Sequence, residues 1–152
     1  MNKFIIIDKS DYINAINLYL GLYHPLRGFA TLKEFESIIS KKKINNVNFT
    51  IPINLFCSKI KANNFGLGDT INLKYKNEII GSLVLESKFK IDKKRILLSI
   101  FGTTNKTHLG VNNYSKKIGK NFISLGGRVH VNYNKVKKFF ISNNFDTMKK
   151  LE

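Results

Sequence analysis

Four side chains in this sequence have the chemistry to drive a reaction: the imidazoles of His24, His108 and His130, and the thiol of Cys57. A nucleophile needs a base beside it and a third group to hold that base. None of the three histidines lies in a nucleophile elbow or a Cys–His setting. Cys57 falls in the apolar run NFTIPINLFC, where a thiol is expected to be buried and inert, because reactivity needs an exposed, electropositive setting. A metal centre needs three or four ligands at fixed spacings. His24 and His108 could meet in space, yet no third ligand is spaced to join them. The ten acidic residues are spread thinly, with no spacing that pairs two carboxylates for acid–base work. Neither a P-loop nor a dinucleotide fingerprint occurs, and GLGD at 66–69 reads as a turn before a strand. No catalytic, cofactor-binding or metal-binding residue is assigned.

Functional groups are densest in two glycine-bounded loops. YHPLRGF carries His24, Arg27 and Gly28, and FGTTNKTHLGV carries Gly102, Thr103, Thr104 and His108. The threonines can bond their own backbone, and amides near Gly102 could cradle an anion. Two readings stand: loops that brace one another, or loops that wall a site. Bracing predicts that the segments around Pro25 and Gly102 lie against each other at one end of the domain. His24 and Arg27 would then face the threonines or their carbonyls. Gly28 and Gly102 are expected to hold either a positive φ or a close backbone approach.

The elements that must position these loops follow from periodicity. Phe4 to Ile7 reads as a strand, and Ser10 or Asp11 offers an N-cap for a helix that ends at Gly21. Thr31 and Glu34 form a capping box for a helix running to about Ser40. NFTIPINLFC reads as a strand limited by Pro52. A strand at 71–75, a hairpin turn at Lys76-Asn77-Glu78 and a long strand at 79–89 follow. Asp92 to Ile100 and Asn112 to Ile118 read as helices, and NFISLGGRVHVNY as a strand with a bulge or bend at Gly126-Gly127. The domain is expected to span 1–134, with 135–152 a basic tail, either a weak helix or a linker toward a following domain. The sum is an α+β domain of mainly antiparallel strands with about four peripheral helices, curled into a small barrel.

With 152 residues, 43% of them hydrophobic, the chain suits one domain with one core. Lys+Arg is 26 against Asp+Glu 10, a formal net charge of +16. Such a charge suggests nucleic acid or another anionic partner. Only Arg27, Arg95 and Arg128 are arginine, however, and arginine is the better fork for phosphates and base edges. The lysines are scattered and accompany many Asn and Ile, a mixture that AT-rich codons produce. Any nucleic-acid binding is therefore expected to be weak, sequence-independent and lost with salt. A lone cysteine, a start unlike a signal peptide and the lack of a membrane-length apolar run lead to a cytoplasmic expectation, with no membrane partner.

Five motifs in order resemble the N-terminal domain of the ATP sulfurylase (sulfate adenylyltransferase) family. Gly21 to Phe29 is similar to that family's G-G-F-S-P-L-x-G-F segment, and Thr50 to Leu55 to its W-P-I-P-I-T-L strand. Gly68 to Leu73 resembles G-D-x-I-x-L, Phe101 to Val111 resembles F-G-T-T-D-x-x-H-P-G-V, and Gly126-Gly127 stands where the family has Y-x-x-G-G. Departures are Tyr23-His24 for Phe-Ser, Ala30 for Met, Asn105 for Asp and Leu109 for Pro. The resemblance implies a PUA-like barrel and a non-catalytic role. It places the chemistry in a following domain, whose Q-x-R-N-P-x-H-x-x-H and G-R-D segments do not occur in this sequence. The implied parent is a nucleotidyltransferase of sulfate assimilation using ATP and Mg²⁺; the implied partners are that catalytic domain and further copies in a homo-oligomer. A stand-alone PUA-like module binding RNA or another anion through its lysines is the alternative.

Overall fold

The elements of the computed structural model, which describes residues 2–119 and 122–142, begin where the sequence supplies a start. After strand β1 (Phe4–Ile6), the Asp8 carboxylate accepts the Asp11 backbone N–H at 2.7 Å and caps helix α1 (Lys9–Tyr19). The cap thus lies upstream of the expected Ser10 or Asp11. Asp11 is instead buried and ion-paired with Lys117 at 2.6 Å. Strand β2 (Gly28–Phe29) precedes helix α2 (Leu32–Lys41). The expected capping box of α2 is complete: Glu34 N–H donates to Thr31 Oγ1, and Thr31 N–H donates to Glu34 Oε2 at 2.8 Å.

Strands β3 (Lys43–Ile44) and β4 (Val47–Asn48) form a small hairpin through Asn45 and Asn46, with φ of 46° and 67°, the left-handed pair of a type I′ turn. The strand expected across NFTIPINLFC is shorter than read. Only β5 (Leu55–Ser58) joins the main sheet, since Pro52 has no N–H to give a ladder. A short helix α3 (Lys59–Ala62) leads to β6 (Thr70–Tyr75) and β7 (Glu78–Lys90), joined as expected at Lys76-Asn77. Helix α4 (Lys93–Phe101) is capped by Asp92, and α5 (Leu109–Lys117) starts three residues before the expected Asn112. Strand β8 (Phe122–Val131) and helix α6 (Tyr133–Ser142) complete the described chain.

The sheet order is β1-β6-β7-β8-β2, with β5 also on β8; β1 runs parallel to β6 and every other pair is antiparallel. Strands β2 and β5 share one edge of β8, at Gly127–Arg128 and at 122–125 respectively. No ladder among the described residues joins β1 to that far edge, and α1 packs on β8 and β2. The α+β class therefore holds, as a mixed and mostly antiparallel sheet with six helices among the described residues. Ile16, Phe29, Ile38, Leu55, Ile71, Leu73, Leu83, Leu85, Ile96 and Leu125 are buried between them. Each such side chain contributes about 1.5–3 kcal/mol relative to exposure.

Of the two forms expected for the tail, the described part up to residue 142 takes the helical one. Helix α6 is moreover docked on the core, with Val136 and Phe139 buried and the Phe139 ring 4.5 Å from that of Tyr12. The boundary expected after residue 134 falls inside this helix. The remainder, 143–152, lies outside the described residues.

Candidate functional site

Gly126-Gly127 was expected to interrupt its strand, but β8 runs through it. The irregularity lies in the partner. Leu85 opposes Gly127 and Ser87 opposes Gly126, which leaves Glu86 as the extra residue of a bulge in β7. The glycines serve close approach. A Cβ on Gly127 would stand 2.0 Å from the Val84 carbonyl oxygen, and one on Gly28 only 1.8 Å from the Gly127 oxygen. Three backbones, of β2, β7 and β8, meet here with no side chain between them.

Beside this crossing opens a cleft of about 390 Å³. Its wall includes His24, Arg27, Glu34, Glu86 and Arg128, with Phe29 among its apolar residues. The Arg128 position opposes Gly28 in the ladder, and the Val129 N–H donates to the Arg27 carbonyl at 3.4 Å, so backbone pairing fixes both arginines' attachment points. Glu34 is committed to the capping box, where it accepts from the Thr31 N–H and hydroxyl, each at 2.8 Å. Arg27 and Arg128 are exposed and form no ion pair among the described residues. The third arginine, Arg95, is instead spent on Glu36 through two bonds of 2.8 and 2.6 Å.

The second loop stands apart from this cleft. Gly102 ends α4 in the left-handed region at φ 69°, its N–H donating to the Leu98 carbonyl at 2.9 Å. Thr103 Oγ1 accepts the Asn105 N–H at 3.1 Å, and Asn105 Oδ1 accepts the Thr107 N–H at 3.0 Å. His108 Nδ1 accepts the Val111 N–H at 3.3 Å and so caps α5; this is why that helix starts early. The Phe101 ring packs on His108 and Tyr114, and Tyr114 on Phe56. Thr104 is exposed. No residue of 101–111 lines the cleft, and no hydrogen bond or ring contact among the described residues joins this loop to His24 or Arg27. The polar contacts that the expected bracing calls for are not made among the described residues: the second loop bonds to its own neighbours. His24, Arg27 and Gly28 come together; Gly102, Thr103, Thr104 and His108 form a separate helix-to-helix turn.

Sequence reasoning did not join Arg128 or Glu86 to the first loop. The signal available was Gly126-Gly127 directly before Arg128, but its pairing with Gly28 is a long-range register that no local pattern reveals. For Gly102, a Cβ would meet nothing within 4 Å, so its role is conformational only. Gly102→Ala is expected to cost about 1 kcal/mol in urea denaturation, and Gly102→Asn less, because Asn tolerates the left-handed region. An alanine variant as stable as the parent would show that the left-handed turn is not needed.

Cys57 is buried, and burial pushes its thiol up to about 11. Native protein at neutral pH is expected to react with a thiol reagent only at the rate of unfolding, whereas denatured protein reacts at once. Fast native labelling would contradict the buried assignment. Burial likewise pushes the Tyr114 hydroxyl up. Among the described residues no three His, Cys, Asp or Glu side chains gather to hold a metal ion, and no helix is long and apolar enough to cross a membrane.

Comparison with known proteins adds the following. Residues 2–134 match the family model of the PUA-like domain. The chain is 27% identical over 128 residues to the sulfate adenylyltransferase of Halothermothrix orenii, covering 82% of this chain and 33% of that protein. It is 33% identical over 106 residues to the sulfate adenylyltransferase of Pyrococcus abyssi, covering 69% of this chain and 27% of that one. It thus spans about a third of the length of the curated relatives it matches. Among solved structures, the hexameric APS kinase from Thiobacillus denitrificans superimposes with a TM-score of 0.58 at 15% identity, over 94% of this chain and 27% of that one. That likeness concerns the fold.

Proposed function

The chain belongs to the PUA-like domain family, and from that premise we propose that it serves as the N-terminal, non-catalytic domain of a sulfate adenylyltransferase-like protein. The observation that carries this reading is the match of most of this chain to one part of much longer sulfate adenylyltransferases. The parent reaction joins ATP and sulfate into adenylyl sulfate with release of pyrophosphate. In this reading ATP and Mg²⁺ bind the domain that follows. The present domain contributes packing, contact between copies in a homo-oligomer, and one wall beside the site. The arginine cleft at the β2–β8 crossing is the part of its surface equipped for such a wall.

The alternative, a stand-alone RNA-binding module, draws its support from the +16 charge. Against it stands how the lysines are used. Lys42, Lys88 and Lys93 donate to backbone carbonyls at or near the ends of α4, α3 and α5, and Lys61 and Lys74 sit over the Phe4 ring. These five lysines are thus engaged in contacts within the fold, on carbonyls and on an aromatic ring.

The chain alone, given ATP, sulfate and Mg²⁺, is expected to release no pyrophosphate above a protein-free control. Release clearly above that control would overturn the non-catalytic assignment. A Q-x-R-N-P-x-H segment in the reading frame that continues this sequence would support the parent activity.

A further inference from the structure

We propose that the cleft at the β2–β8 crossing is a binding site for a tetrahedral oxyanion of the phosphate type, held by the guanidinium forks of Arg27 and Arg128, with Glu86 as the competing charge. Three observations on different levels support this. First, the chain meets almost all its need for positive charge with lysine, yet two of its three arginines flank this one cleft. Arginine differs from lysine in offering a planar fork that matches an oxyanion with two parallel hydrogen bonds. Second, both forks lack an ion-pair partner among the described residues, although two carboxylates line the same cleft. Glu34 is bound into the cap of α2, and Glu86 stands exposed on the bulge of β7. Third, the scaffold is rigid. At the crossing, backbones approach so closely that a single added Cβ collides with a carbonyl oxygen, so the backbone positions from which both arginines project are set before any ligand arrives. Preorganisation of this kind lowers the ordering cost of binding. A volume of about 390 Å³ admits a small anion with its water. The inference does not depend on which domain this one is joined to.

The test is a titration of the isotope-labelled full chain with inorganic phosphate, followed by NMR at ionic strength matched with sodium chloride. Saturable shifts are expected at the Gly28 and Gly127 amides and at the side-chain Nε of Arg27 and Arg128. R27Q and R128Q should each weaken binding by about tenfold, the loss of one charge-assisted fork. R27K and R128K keep the charge without the fork and should fall between parent and Gln variants. E86Q should tighten binding, and K94Q, at an exposed position of α4 that is not part of the cleft lining, should leave it unchanged. Because Arg27, Glu86 and Arg128 are exposed, superimposable spectra in the absence of phosphate verify that each variant is folded. Shifts that grow linearly and equal those of sodium chloride would overturn the site. Binding by R27Q and R128Q as tight as the parent's would do the same, and acetate binding as tightly as phosphate would overturn the ligand class.

Discussion

Gly28→Ala is expected to lower the unfolding free energy by about 3 kcal/mol or more, a loss at the upper end for a single added methyl group. The φ of Gly28 is not the cause. The added Cβ would lie 1.8 Å from the Gly127 carbonyl oxygen and 2.8 Å from Arg128 Cα, both backbone atoms that no rotamer change can clear. Relief requires β2 to separate from β8, and that breaks the pairing of Gly28 with Arg128 and of Phe29 with Gly127. It would also lift Phe29, which is fully buried, from the core. Gly102→Ala meets no atom, so its smaller cost separates the two reasons a glycine is required. Guanidinium denaturation of the two variants side by side checks the ranking. Gly28→Ala within about 0.5 kcal/mol of the parent, the range of an ordinary surface change, would show that the crossing yields easily. The rigid mounting of Arg27 and Arg128 would then go with it.

What could be read from the sequence was local. The Thr31–Glu34 capping box lies within one turn, and the Lys76-Asn77 turn lies between two alternating runs, so both were found in place. The ordered glycine and proline motifs carried the PUA-like family, and the family match over 2–134 bears that out. Readings failed where a distant contact decided the outcome. The bulge was expected in β8 because glycines are there, but a glycine pair in one strand can equally admit the extra residue of its neighbour, here Glu86. The strand through Pro52 was read too long because alternation continues across a residue that has no N–H to give a ladder. Half of the candidate site was visible, as His24 and Arg27 in one loop. Arg128 entered only through its register with Gly28, a separation of 100 residues along the chain that periodicity cannot address. The FGTTNKTHLGV loop looked site-like for a related reason. Threonine, asparagine and histidine side chains suit ligands and helix caps alike, and here three of them are used on backbone N–H groups.

Phe139→Ala is expected to cost about 3–5 kcal/mol, the range for emptying a buried aromatic site. The segment YNKVKKFFIS begins the stretch read as a weak basic helix or linker, and within it Val136, Phe139 and Phe140 recur at helical spacing. In the fold that stripe faces inward. Phe139 packs 4.5 Å from the Tyr12 ring and 6.5 Å from that of Tyr75, bridging α1 and the end of β6. The Tyr12 hydroxyl donates to the Lys135 carbonyl at 3.3 Å, and Lys135 reaches Glu78 at 2.6 Å, which ties the first turn of α6 to the hairpin. That ion pair is exposed and adds little by itself; the anchoring is apolar. Ile141 is 65% exposed, so Ile141→Ala serves as the internal control and should stay within about 0.5 kcal/mol of the parent. A linker would give no effect for either substitution, whereas a docked helix separates them. Equal stability of both variants by denaturant titration would return α6 to the status of a tail. A large loss for Phe139→Ala with an unchanged denaturant slope would place it in the same cooperative unit as the sheet.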